Sequence, residues 1–130
     1  MQVIPKYAAA KPISVRDVRT ADRNILAGVR MLNNYATNYF NDPGIDDFNK
    51  TLFTFASYNA GPSRVAGLCR RAGQDGLDAK KWFGNVELEA AKEIGEETVT
   101  YVGNVYKYYV AYKLAEARTL ETQKAKAAGN

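Results

Sequence analysis

Histidine is absent from this 130-residue chain, and cysteine occurs once, at Cys69. A His/Cys metal site is thereby excluded, as are nucleophilic triads that need an imidazole base. No internal disulfide can form. Acid–base chemistry is left to carboxylates, tyrosines and lysines. The sequence also has no apolar run of roughly 18 residues, so no helix is expected to cross a membrane. The opening stretch MQVIPKYAAAKPIS lacks the long apolar centre of a secretory signal. A mature secreted protein lacks one too, so the compartment stays open. Strand-type alternation and internal repeats are both missing. The class is all-α.

What is present suffices for one ordinary domain: 46% of the residues are hydrophobic, enough for a core at this length. The net charge of +4 and pI near 9.2 suit an anionic partner, whether nucleic acid, lipid headgroup or acidic glycan. Apart from Arg70-Arg71, Lys80-Lys81 and a Lys-rich tail, the basic residues are scattered, as on a solvated surface. Cys69, in RVAGLCRRA, fits a packed helix.

Residues 1–23 read as extended or irregular, broken by Pro5 and Pro12. The spacing of Ile25, Val29, Leu32, Ala36 and Tyr39 predicts a helix over 24–40. NDPG is a turn. A second helix begins near Asp46, with Phe48, Leu52, Phe55 and Asn59 on one stripe, and a short third runs from Pro62, a favoured first-turn residue, to about Ala72. Trp82 and Phe83 pin the next loop to the core. A helical segment follows over 86–94, then a long helix over 97–117. Tyr101, Val105, Tyr108 and Tyr112 form one stripe of that helix, with Val99, Val102, Tyr106, Tyr109 and Leu114 beside it. Such all-round apolar cover predicts burial on several sides. The tail at 118–130 has too little apolar content to order alone.

The segment FASYNAGPSRV poses the functional question. Gly61 and Pro62 suffice to stop a helix, yet Tyr58 and Asn59 crowd its last turn. One answer makes Asn59 a C-terminal cap and Tyr58 a half-buried aromatic with a wet hydroxyl. The other notes that Asn59 continues an apolar stripe. Its amide then points inward or into a cleft and needs a polar partner, since a buried unpaired amide costs about 1–3 kcal/mol. A sugar acetamido or hydroxyl group would serve, and so would a backbone carbonyl.

ASYNAGPSRV resembles the Ala-Tyr-Asn-Ala-Gly signature of the soluble, lysozyme-like lytic transglycosylases. MQVIPKYA resembles the end of that family's Gly-Leu-Met-Gln-apolar-apolar-Pro motif, and Asn24-Ile25 through Leu32 fits its Asn-Ile-x-x-Gly segment. ETVTYVGNVYKYY is similar to the closing Glu-Thr-x-x-Tyr-Val motif. The four motifs stand in order over residues 1 to about 114, closest in look to the membrane-bound branch that carries a solute-binding-like module. The resemblance implies a lysozyme-like helical domain over 1–117, lacking its first helices, followed by a charged tail over 118–130.

The resemblance also implies a chemistry. One glutamic acid protonates the glycosidic oxygen between N-acetylmuramic acid and N-acetylglucosamine. The muramyl O6 then closes on C1, giving a 1,6-anhydro product without a hydrolytic water. By match to the motifs, Gln2 lines the cleft near the cleaved bond, and Tyr58, Asn59, Ala60 and Gly61 hold the sugar and its acetamido group. Glu97 and Tyr101 support the acid. No cofactor and no metal is implied; the partner is the peptidoglycan strand of a bacterial envelope, periplasmic or outer-membrane-associated. No nucleic-acid partner is expected. Membrane association would come only through parts outside this chain.

The family's acid belongs to a Glu-Ser motif upstream of Gly-Leu-Met-Gln, and none of the fourteen Asp and Glu here occupies its place. The expectation is that this chain is a fragment, inactive by itself and prone to self-associate through apolar surface beside Tyr101 and Tyr108. Three other readings compete: an incomplete peptidoglycan-binding chain, a basic helical nucleic-acid module, and a scaffold bundle.

Overall fold

Asp46 shows how this sequence starts its central helix. Its Oδ1 accepts from the backbone N–H of Asn49 at 2.7 Å and from the Asn49 Nδ2 at 3.0 Å, satisfying an orphan donor of the first turn. The computed structural model describes residues 3–129, and this helix is one of six among them, with no strand. They are α1 (Pro5–Ala9), α2 (Ala21–Tyr39), α3 (Asp47–Ala60), α4 (Pro62–Gln74), α5 (Glu87–Ile94) and α6 (Glu96–Ala128). Helix α3 packs against α2, α4 and α6, so it forms the axis of the molecule.

The main core gathers around that axis. Phe40 stacks on Phe53 with ring centroids 5.3 Å apart, and Phe53 meets Trp82 edge-on at 6.3 Å. Leu52, Val65, Leu68, Val86 and Val102 complete it, all buried. The buried Asn49 carboxamide also accepts from the backbone N–H of Trp82 at 2.9 Å, tying the loop before α5 to the start of α3. Phe83, with ψ 130°, and Gly84, with φ +70°, break the helical path there. Trp82 is therefore a core residue, as expected. Phe83 is partly exposed and rests against Phe48 and Tyr106.

The helices lie close to their expected bounds, but two apolar stripes do not face the core. On α2 the buried positions are Ala27 and Gly28, with Met31 and Tyr35 partly covered, while Ile25, Val29 and Tyr39 are exposed. On α3 the buried face is Leu52, Phe53, Ala56 and Ser57, whereas Phe48 is exposed and Phe55 lies at an edge. The reason is steric. Small Ala27 and Gly28 admit the N-terminal segment closely, and the bulky branched residues take the rim. Periodicity identified the helices and misplaced their inner faces.

Residues 3–20 carry more structure than the irregular segment expected. Helix α1 is short, and Val3, Ala8, Ile13, Val15 and Val18 form with Ala27 a second, smaller core that Met31 and Tyr58 flank. Polar side chains of α2 hold the segment in place. Arg30 Nη1 donates to the Ile13 carbonyl at 2.9 Å, and Asn24 Nδ2 to that of Val18 at 3.2 Å.

Helix α6 corrects two further expectations. It does not stop at 117 but continues to Ala128, because Ala, Lys, Glu, Gln and Arg are strong helix formers and no Gly or Pro interrupts residues 118–128. Nor is the tyrosine-rich face wrapped on several sides. Thr98 and Val102 are buried, but Tyr108 is 68% and Tyr112 75% exposed. Every residue from 111 to 129 is exposed, since no other element reaches that far along the helix.

Candidate functional site

Between the N-terminal segment and the end of α3 lies a cleft of about 560 Å³. Val3, Ile4 and Tyr7 form one wall. Ala10, Lys11 and Ile13 extend it, and Met31, Asn34 and Tyr35 of α2 and Ser57 to Pro62 form the rest. Its position follows from local chemistry. Gly61 sits at φ +94°, a conformation that suits glycine, and closes α3 by donating its N–H to the Ser57 carbonyl at 2.8 Å. Pro62 then starts α4 with no N–H to satisfy. The sharp break leaves the last turn of α3, with Tyr58, Asn59 and Ala60, standing open on the cleft.

Asn59 is exposed at the end of α3 rather than buried, and one polar partner holds its carboxamide. Its Oδ1 accepts from the Thr98 hydroxyl at 2.8 Å. Thr98 is buried in the first turn of α6, so this bond locks the carboxamide rotamer. The Nδ2 donors carry no other hydrogen bond among the described residues. An amide fixed at its oxygen and free at its nitrogen is ready to donate to an acceptor such as an acetamido carbonyl.

Tyr58 is half-buried between other tyrosines. Burial pushes its phenol above the usual range, and the neighbouring Tyr101 and Tyr35 push it the same way. Burial raises Tyr101 and Tyr35 as well. All three therefore remain protonated hydroxyls at neutral pH, able to donate and accept. Ser57 lines the same cleft, and its buried Oγ has no partner.

The predicted site residues thus divide. Tyr58, Asn59, Ala60 and Gly61 line the cleft, and Tyr101 stands beside Tyr58. Glu97 does not join them: it is exposed on the first turn of α6 and lines no part of the cleft. Gln2 lies outside the described residues. No carboxylate lines the cleft among the described residues.

The model of the Transglycosylase SLT domain matches residues 1–81, well over half of the chain. The chain belongs to the transglycosylase SLT family. No curated protein and no solved structure matches it. The SLT match takes in the whole N-terminal wall and the Tyr58–Gly61 turn, and it ends before Glu97 and Tyr101. Beyond the matched residues, the Thr98 hydroxyl reaches back to Asn59.

Sequence reasoning missed Thr98, Tyr35 and Asn34. Thr98 stood inside the closing motif, one residue after Glu97, and a hydroxyl on the buried side of an apolar helix was the available signal. Tyr35 and Asn34 fell off the supposed apolar stripe of α2, and that misplaced stripe hid them.

Proposed function

We propose that this chain forms the sugar-holding side of a peptidoglycan lytic transglycosylase. The reaction is non-hydrolytic cleavage of the β-1,4 bond from N-acetylmuramic acid to N-acetylglucosamine, with a 1,6-anhydromuramyl product. It takes place in the bacterial cell envelope. The observation that carries this reading is the Asn59 carboxamide, pinned by Thr98 and open to a cleft that Tyr58 and Tyr35 also line. In that setting Asn59 holds the acetamido group, and the tyrosine hydroxyls hold the sugar ring.

Anhydro formation needs one acid and no second carboxylate to activate water. The acid must come within about 3 Å of the glycosidic oxygen and be kept neutral by apolar surroundings. With no carboxylate lining the cleft, residues 1–130 supply recognition and not the proton. The acid comes from outside them, and the chain alone is a peptidoglycan binder. Glu97, exposed and lining no part of the cleft, is not that acid.

The test is a muropeptide digest. Purified peptidoglycan incubated with the 130-residue chain is expected to release no 1,6-anhydromuropeptides, while the chain sediments with the sacculi. Release that disappears in Glu97→Gln would make Glu97 the acid. Failure to sediment with sacculi would remove the glycan from the reading altogether.

A further inference from the structure

The cleft does not close at Ile13 and Asn34. Both residues also line a second groove, of about 450 Å³, that runs along α2 past Arg30, Asn33, Thr37 and Asn38. Cleft and groove thus adjoin at these two residues. Among the described residues no carboxylate lines either one, while two cations do: Lys11 in the cleft and Arg30 in the groove. Neither takes part in any ion pair of the described residues. Arg30 uses one nitrogen on the Ile13 carbonyl, which fixes the guanidinium at the junction and leaves its other donors to a ligand.

Glycan hydroxyls call for no cation. Cleft and groove together, with two unpaired cations and three asparagines, fit a ligand that carries both carboxylates and amides. We propose that the α2 groove takes the peptide stem of peptidoglycan: Lys11 and Arg30 hold its free carboxylates, and Asn33, Asn34 and Asn38 hold its amides. The inference rests on the transglycosylase reading of the adjoining cleft, because the stem branches from the muramyl ring that Asn59 and Tyr58 would hold. A nucleic-acid backbone fits less well, since it would call for a row of cations along its phosphates, where the groove has Arg30 alone and the cleft Lys11.

An NMR titration of the 130-residue chain decides the matter with two probes, a GlcNAc–MurNAc disaccharide bearing a tetrapeptide and the same disaccharide without it. The stem-bearing probe is expected to bind about tenfold tighter at low salt, with the ratio shrinking as ionic strength rises. Lys11→Ala combined with Arg30→Gln should bring the ratio to about one. Lys11→Glu alone should lower it too, and it leaves the Arg30 contact to Ile13 in place. A ratio near one in the unaltered chain, with both probes bound, overturns the stem inference and leaves the glycan reading standing. A ratio that neither variant changes overturns it as well. Binding of neither probe overturns both readings together. Displacement of the stem-bearing probe by an equal concentration of a short DNA duplex would make the groove a phosphate-binding surface and overturn the stem assignment.

Discussion

The two cores of this protein are built from different materials. The main one, around α3, is made of large rings and branched chains: Phe40, Phe53, Trp82, Leu52 and Leu68. The smaller one, under the N-terminal segment, consists of valines, alanines and Ile13. The cleft lies at the boundary, with Tyr58 touching the second core and Ala60 the first. Buried area scales with side-chain size, so the first core holds its helices far more firmly than the second holds its irregular wall. A cleft with one firmly and one lightly held side can open without loss of the fold.

The firmest way to challenge that contrast is Trp82→Ala. Removing the fully buried indole should cost about 3–5 kcal/mol of unfolding free energy, read by urea titration. A cost below about 1 kcal/mol would mean that the main core is not where the stability resides. Ile13→Ala should cost about 2 kcal/mol, and its effect should be local. Amide exchange should speed up over residues 8–18 while Leu52, Phe53 and Leu68 keep their protection. Uniform loss of protection would show the two cores to be one cooperative unit.

Thr98→Val removes the hydroxyl that fixes Asn59, in nearly the same volume. We expect about 1 kcal/mol of lost stability and a weaker hold on chitooligosaccharides or glycan strands. Thr98→Ser should restore most of that binding, which a purely steric role for Thr98 would not predict.

Acid should act on caps rather than on either core. The backbone N–H of Asn49, and then its carboxamide, hold Asp46 below the usual carboxylate range. The folded value is the lower one. Its contribution is therefore present above the unfolded value of about 3.9 and is lost as pH falls through the folded value. Melting temperature should be level from neutral down to about pH 4 and fall below it, with a shallower fall in Asp46→Asn. At the other end, burial raises Cys69 to about 11. That contribution is present below the unfolded thiol value of about 8.5 and is lost as pH rises through the folded one. Cys69→Ala should accordingly soften the alkaline limb. The smallest change expected is Leu120→Gln, on the exposed end of α6. It should stay within about 0.5 kcal/mol, and a larger loss would place a second surface against that helix.

The α3 and α4 helices were legible because they carry their own punctuation: Asp46 at the start of α3 and Gly61-Pro62 at the α3–α4 break. Tyr58 and Asn59 were legible for the same reason, since a stop that needed only Gly and Pro had two residues left over. Local signals do not depend on what packs where. The inner faces of α2 and α3 were not legible, because their apolar residues spread around much of the helix and several stripes satisfied the same spacing. What chose among them was the close approach of residues 3–18 to Ala27 and Gly28, a contact between segments that spacing within one helix cannot encode.

Composition and order of residues thus determined an all-α chain without imidazole chemistry, the break between α3 and α4, and the turn that presents Tyr58 and Asn59. Tertiary structure alone decided that Thr98, 39 residues on, would hold the Asn59 oxygen. It also decided that Glu97, its neighbour in sequence, would stand in solvent. Successive residues of a helix point about 100° apart. Which of them faces the cleft therefore depends on how α6 is rotated against α3, and that rotation is set by packing in the main core, where Val102 is buried.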